Sequence, residues 1–143
     1  MTQVLTLKDG LPKVRAALTN RTLGAFEFND CQYQYEDGIS GCAIGVMLNP
    51  ETIAKIHRRE LNGTSLGVLI ECGVVHIPNP NERHKLALLQ MLHDSWAGDE
   101  EPDPASAEAL CEQIGWNPNG PDYQGSQEVF TEYLTWLEQT LEA

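Results

Sequence analysis

After Lys85 the chain contains neither lysine nor arginine. The 58 residues that follow carry twelve carboxylates, whereas residues 1–85 set nine cations against nine acids, so the net charge of −12 belongs entirely to the rear portion. A surface of that sign repels phosphate backbones, because affinity for nucleic acid comes largely from cations that displace condensed counterions. Direct DNA or RNA binding is therefore disfavoured, while a basic protein surface is attracted. Long apolar runs are missing too. The longest stretch, around "CAIGVML", is far short of the roughly 20 residues that a membrane span needs, and the N-terminus lacks the apolar run of a signal peptide. A cytoplasmic protein is the expectation.

Cysteine is sparse and irregular. Cys31, Cys42, Cys72 and Cys111 form no CxxC, which excludes a zinc ribbon and a disulfide framework and points to reduced thiols. A Cys31–Cys42 pair flanking a hairpin would supply two ligands, half of a zinc site. The acidic "DEEPDP" lacks the spaced ligands and the glycine of an EF-hand loop. No metal and no cofactor are expected.

The 143 residues, 41% of them hydrophobic, suffice for one core. We read residues 1–143 as a single domain, with a charge-balanced core over 1–98 and an acidic helical C-terminal region over 99–143. Leu7, Leu11, Val14, Ala17 and Leu18 recur at helical spacing over 6–19, with Pro12 placed in the first turn. "GAFEFND" and "CQYQYEDG" alternate in polarity and carry turn residues, so a small hairpin or three short strands are predicted over 24–38. Asn49-Pro50-Glu51 reads as an N-cap, a first-turn proline and an acid at the positive helix end, opening a helix through "PETIAKIHRREL". "SLGVLIEC" is a short helix stopped by Gly73, and "VVHIPNP" is extended. Helix resumes at Asn81 with the stripe Leu86, Leu89, Leu92 and Trp96. Further helices follow in "ASAEALCEQIGW" and "SQEVFTEYLTWLEQTLEA", the last burying Phe130, Tyr133, Leu134, Leu137 and Leu141. The fold class is α+β and mainly helical: a small N-terminal antiparallel β-hairpin or sheet packed on five to six helices.

"CQY", "SGCAIGVML", "LNGTSLGVLIECGVVHIPN" and "LLQMLHDSWAG", between residues 31 and 98, together resemble a family of small uncharacterised phage and prophage proteins that share a Cys-x-Tyr strand, a Cys-Ala-x-Gly helix start and a Leu-Gln-x-x-His-Asp helix. The resemblance implies an accessory protein acting in a bacterial host cytoplasm. It carries no catalytic assignment.

Four groups of residues are candidates for function. Cys42 stands where a turn gives way to a helix, and a thiol at a helix N-terminus is activated by the exposed N–H groups. A base would have to come from His57, His76, His84 or His93; the alternative is a small residue that lets the segment pack tightly. His93-Asp94 is one element of an HD-type metal site, but adjacent helix residues point about 100° apart, and a histidine near a helix C-terminus also has a plain electrostatic role. Lys55, Arg58 and Arg59 make a basic helix face, either a solvated one or a patch that meets another copy's acidic region. The acidic region itself, Asp99, Glu100, Glu101, Asp103, Glu108, Glu112, Glu128, Glu132, Glu138 and Glu142, has no nearby cation to relieve its self-repulsion. A basic host or phage protein would relieve it. The favoured reading is a non-enzymatic accessory protein that docks on such a partner, as an anti-defence inhibitor or nucleic-acid mimic; the alternative is a small hydrolase using Cys42 or His93 and Asp94.

Overall fold

The computed structural model describes residues 2–20, 41–61, 66–97, 104–116 and 127–142, without the side chains of 94–97, 104–108, 127 and 142. Among them are two short strands and six α-helices: β1 (Gln3–Val4), α1 (Leu7–Asn20), α2 (Pro50–Arg58), α3 (Leu66–Glu71), β2 (Val75–His76), α4 (Pro80–Ala97), α5 (Pro104–Ile114) and α6 (Gln127–Glu142). The mainly helical α+β class follows. The sheet corrects the sequence reading, because β1 and β2 run parallel, with Gln3 opposite Val75 and Val4 opposite His76. Parallel neighbours require a long crossover, which no local turn signal announces. The hairpin or three strands predicted over 24–38 lie outside the described residues.

Local chemistry explains where the helices start. Thr6 opens α1, its Oγ1 accepting from Asp9 N at 3.2 Å and its carbonyl from Gly10 N at 2.9 Å. Glu82 brings a carboxylate to the same end, Oε1 accepting from Leu7 N at 2.7 Å. A negative group is favoured there because the first-turn N–H groups lack intrahelical partners. Pro12 falls in the second turn of α1 rather than the first, where its missing N–H leaves the Lys8 carbonyl without a helical donor. An Asn-Pro pair begins two helices. Asn49 Oδ1 accepts from Thr52 N at 2.8 Å before α2, and Asn79 Oδ1 accepts from Asn81 N at 2.9 Å before α4, which therefore starts at Pro80 and not at Asn81. Each such cap is worth about 1 kcal/mol.

Three helices end in one way. After α2, α3 and α5 the chain passes through a left-handed residue, Glu60 (φ 56°), Gly73 (φ 73°) and Gly115 (φ 80°). The next amide then folds back five residues, from Leu61 to the Ile56 carbonyl, Val74 to Leu69 and Trp116 to Cys111. Glycine serves this conformation without a steric penalty. Glu60 adopts it at some cost.

In the core, α6 packs between α1 and α4, and α4 also carries α5. Phe130, Tyr133, Leu134 and Leu137 are fully buried, facing a layer that includes Leu86, Leu88 and Leu89 of α4. Truncating any one of these leucines to alanine should cost about 2–5 kcal/mol. Leu141 departs from the expected stripe and is 44% exposed, since it lies in the last turn of α6. On the other side of α1, Gly10 lets the segment 41–48 come close: a Cβ there would sit 2.6 Å from Met47 Sδ. Gln3 braces the same segment. Its Nε2 donates to the Met47 carbonyl at 3.1 Å and its Oε1 accepts from Asn49 N at 3.0 Å, so one side-chain amide satisfies the backbone on both sides of the extended Leu48.

Candidate functional site

The rear helices place three described acids toward solvent. Glu128 and Glu132 lie one turn apart on the outer face of α6, opposite Phe130 and Leu134, and Glu112 is exposed on α5. Asp99, Glu100, Glu101 and Asp103 lie outside the described residues, as do the side chains of Asp94, Glu108 and Glu142. Glu138 is turned to the flank that meets α1. There Arg15 Nε donates to Glu138 Oε2 at 3.2 Å, and Nη2 donates both to Glu138 Oε1 and to Thr135 Oγ1, the latter at 3.1 Å. The hydrogen bonds to Glu138 hold the guanidinium pKa above its ordinary value, against an opposing effect of burial. Arg15 thus neutralises one rear acid. Glu138, expected among the partner-binding carboxylates, is paired with Arg15 within the molecule.

An aromatic cluster adjoins this face. Trp116 and Tyr133 have ring centroids 4.7 Å apart, and Trp136 stacks on Tyr133 at 6.0 Å and 18°. Lys85, the last cation of the chain, holds its Nζ 5.6 Å from the centre of the Trp136 ring. That geometry is favourable because the ring face carries the negative part of the quadrupole. The Tyr133 hydroxyl donates to the Lys85 carbonyl at 2.7 Å, and burial raises the phenol's pKa well above its ordinary value, with a smaller contribution from Cys111. Half-buried Trp136 and exposed Glu132 therefore lie on successive turns of one helix.

Cys42 is only 1% exposed, and the helix expected to begin there is a three-residue 3-10 turn over 45–47. Its sulfur accepts from Gly45 N at 3.4 Å, and Ala43 and Ile44 beside it are fully buried. The thiol fills space in a turn that closes on itself. Cys31 lies outside the described residues; Cys42, Cys72 and Cys111 are not in disulfides. His93 is fully buried, its ring edge-on to Phe130 at 6.1 Å and 68°. It continues the stripe of Leu86 and Leu89 at three- and four-residue spacing, so it is a core ring rather than a solvent-facing cap. Among the described residues no group of three or more His, Cys, Asp or Glu side chains could hold a metal ion.

The basic cluster is divided. Arg58 is exposed, while Arg59 Nη1 donates to the Cys72 carbonyl at 3.0 Å and ties the end of α2 to the end of α3. Sequence reasoning missed the polar side chains that hold backbone: Gln3, Glu82, and Gln90, whose Oε1 accepts from Ile44 N at 3.0 Å. That last bond joins the "LLQMLHD" and "SGCAIGVML" motifs, which are therefore packed together. It also missed a groove of about 300 Å³ beside β1, lined by residues including Val4, Thr6, Asp9, Lys13 and Met47. No described helix is long and apolar enough to cross a membrane. Compared with family models, with curated proteins and with solved structures, the chain matches none.

Proposed function

We propose that the chain is a non-enzymatic accessory protein of phage type, acting in a bacterial cytoplasm, that docks on a basic host or phage protein through the outer face of α5 and α6. The observation that carries this reading is the exposure of Glu112, Glu128 and Glu132 in a stretch of 58 residues without lysine or arginine. Opposite charge accelerates encounter and fixes orientation. A nucleic-acid-binding protein offers such a basic surface, so the chain acts as an inhibitor that occupies it in place of nucleic acid. The hydrolase alternative gains no support from the surroundings of Cys42 and His93.

The test is retention of basic proteins from bacterial lysate by the immobilised chain, at low and high salt. Retention by the native protein, lost in high salt and lost in the Glu112→Lys, Glu128→Lys, Glu132→Lys variant, is the expected outcome. Retention unchanged by those three reversals contradicts the reading.

A further inference from the structure

The strand β1 has one edge that no other described residue uses. Gln3 N donates to the Val74 carbonyl at 3.2 Å and Leu5 N to the His76 carbonyl at 2.9 Å, so alternation directs the N–H and C=O of Val4 to the opposite side. Among the described residues the sheet has β1 and β2 alone, and no strand pairs with that edge. Val4 is also 52% exposed, against buried Leu5 and Leu7. Unpaired strand edges are templates for another backbone, and proteins that do not use them cover or charge them. The two-residue length of β1 confines that edge to Val4, which carries no charge of its own.

The groove of about 300 Å³ lies along this stretch. That volume is at the small end of ligand sites. Its floor is fixed: Met47 is buried, and its carbonyl accepts from Gln3 Nε2 at 3.1 Å and from Lys13 Nζ at 3.4 Å. Its charges are Asp9 and Lys13, exposed one helical turn apart on α1. A main chain in extended conformation offers the donor and the acceptor that Val4 lacks, and an acid and a base in that chain answer Lys13 and Asp9. We propose that this groove binds an extended peptide segment carrying one basic and one acidic residue, by strand addition to the free edge of β1. The site is separate from the acidic face of α6 and stands whether or not that face binds a basic protein.

The probes are the capped peptides Ac-Lys-Val-Thr-Val-Asp-NH2 and Ac-Asp-Val-Thr-Val-Lys-NH2, titrated into the 15N-labelled full chain. One of them should give saturable amide shifts at Gln3, Val4, Leu5, Thr6 and Met47. Val4→Pro, which removes the N–H, should weaken binding at least about fivefold, the loss of one net hydrogen bond. Lys13→Met, which leaves the strand intact, should weaken the same peptide and serves if the proline variant misfolds. Absence of saturable shifts with both peptides at about 5 mM, an affinity too weak for specific recognition, overturns the proposal. So do shifts confined to α5 and α6, or a Lys13→Met protein that binds as tightly as the native one.

Discussion

Arg15 of α1 grips Glu138 of α6 with both Nε and Nη2 and takes Thr135 of the same helix with Nη2, which links residues 123 positions apart. Side chains in this pair are about one third exposed. A partly exposed bidentate pair should therefore show a modest coupling in a cycle of Arg15→Ala and Glu138→Gln, about 0.5–1 kcal/mol, reduced in 1 M salt where the screening length is only about 3 Å. Glu132→Gln, at an exposed position beyond the first turn of α6, should leave the melting temperature nearly unchanged. A zero coupling in the Arg15–Glu138 cycle would show that the pair does not tie the acidic helix to the front half.

Thiol reactivity separates a tool from a space-filler. Cys72 is exposed, whereas Cys42 and Cys111 are buried. Under iodoacetamide at neutral pH, followed by peptide mass mapping, Cys72 should be alkylated in the folded protein, and Cys42 and Cys111 should be protected until the chain is unfolded, since the reactive species must reach the reagent as thiolate. Native-state labelling of Cys42 as fast as Cys72 would revive the nucleophile reading.

Much of the fold was legible because its signals are local. Apolar spacing located α1, α4, α5 and α6, and Asn49-Pro50 and Gly73 marked ends that the structure keeps. What escaped was non-local. The partner of Gln3-Val4 is Val75-His76, and no property of either dipeptide specifies the other or the parallel direction. Leu141 has the spacing of the core stripe, but the stripe outlasts the layer it packs against. The excess of acids was legible as a count of charges, while the pairing of Glu138 with Arg15 depends on how α1 and α6 are brought together. His93 stood as a candidate metal-site element beside a plain role near a helix end, and a dipeptide carries no information about burial, which is complete here.

Tyr133 makes stability depend on pH in the alkaline range. Its folded-state pKa is raised above the ordinary 10.0 by burial. The contribution is therefore complete below pH 10 and is lost as pH rises toward the folded value, because the unfolded chain releases the phenolic proton first. For one group the loss is about 1.4 kcal/mol per pH unit. Tyr133→Phe should flatten the decline of stability above pH 10 by that slope, while costing about 1 kcal/mol at neutral pH for the hydrogen bond to the Lys85 carbonyl. Chemical denaturation of both proteins at pH 7, 10 and 11 checks this. Parallel curves would mean that Tyr133 ionises in the folded state.

The most direct measurement compares two charge reversals in the lysate-retention assay. Glu112→Lys, Glu128→Lys, Glu132→Lys should abolish capture of a basic protein, and adding duplex DNA to the native chain should compete for that same protein. Lys55→Glu, Arg58→Glu should leave capture intact, because those residues lie on α2 and not on the anionic helices. Equal capture by the native chain and both variants, or loss of capture only when the cations of α2 are reversed, would contradict a docking surface on α5 and α6.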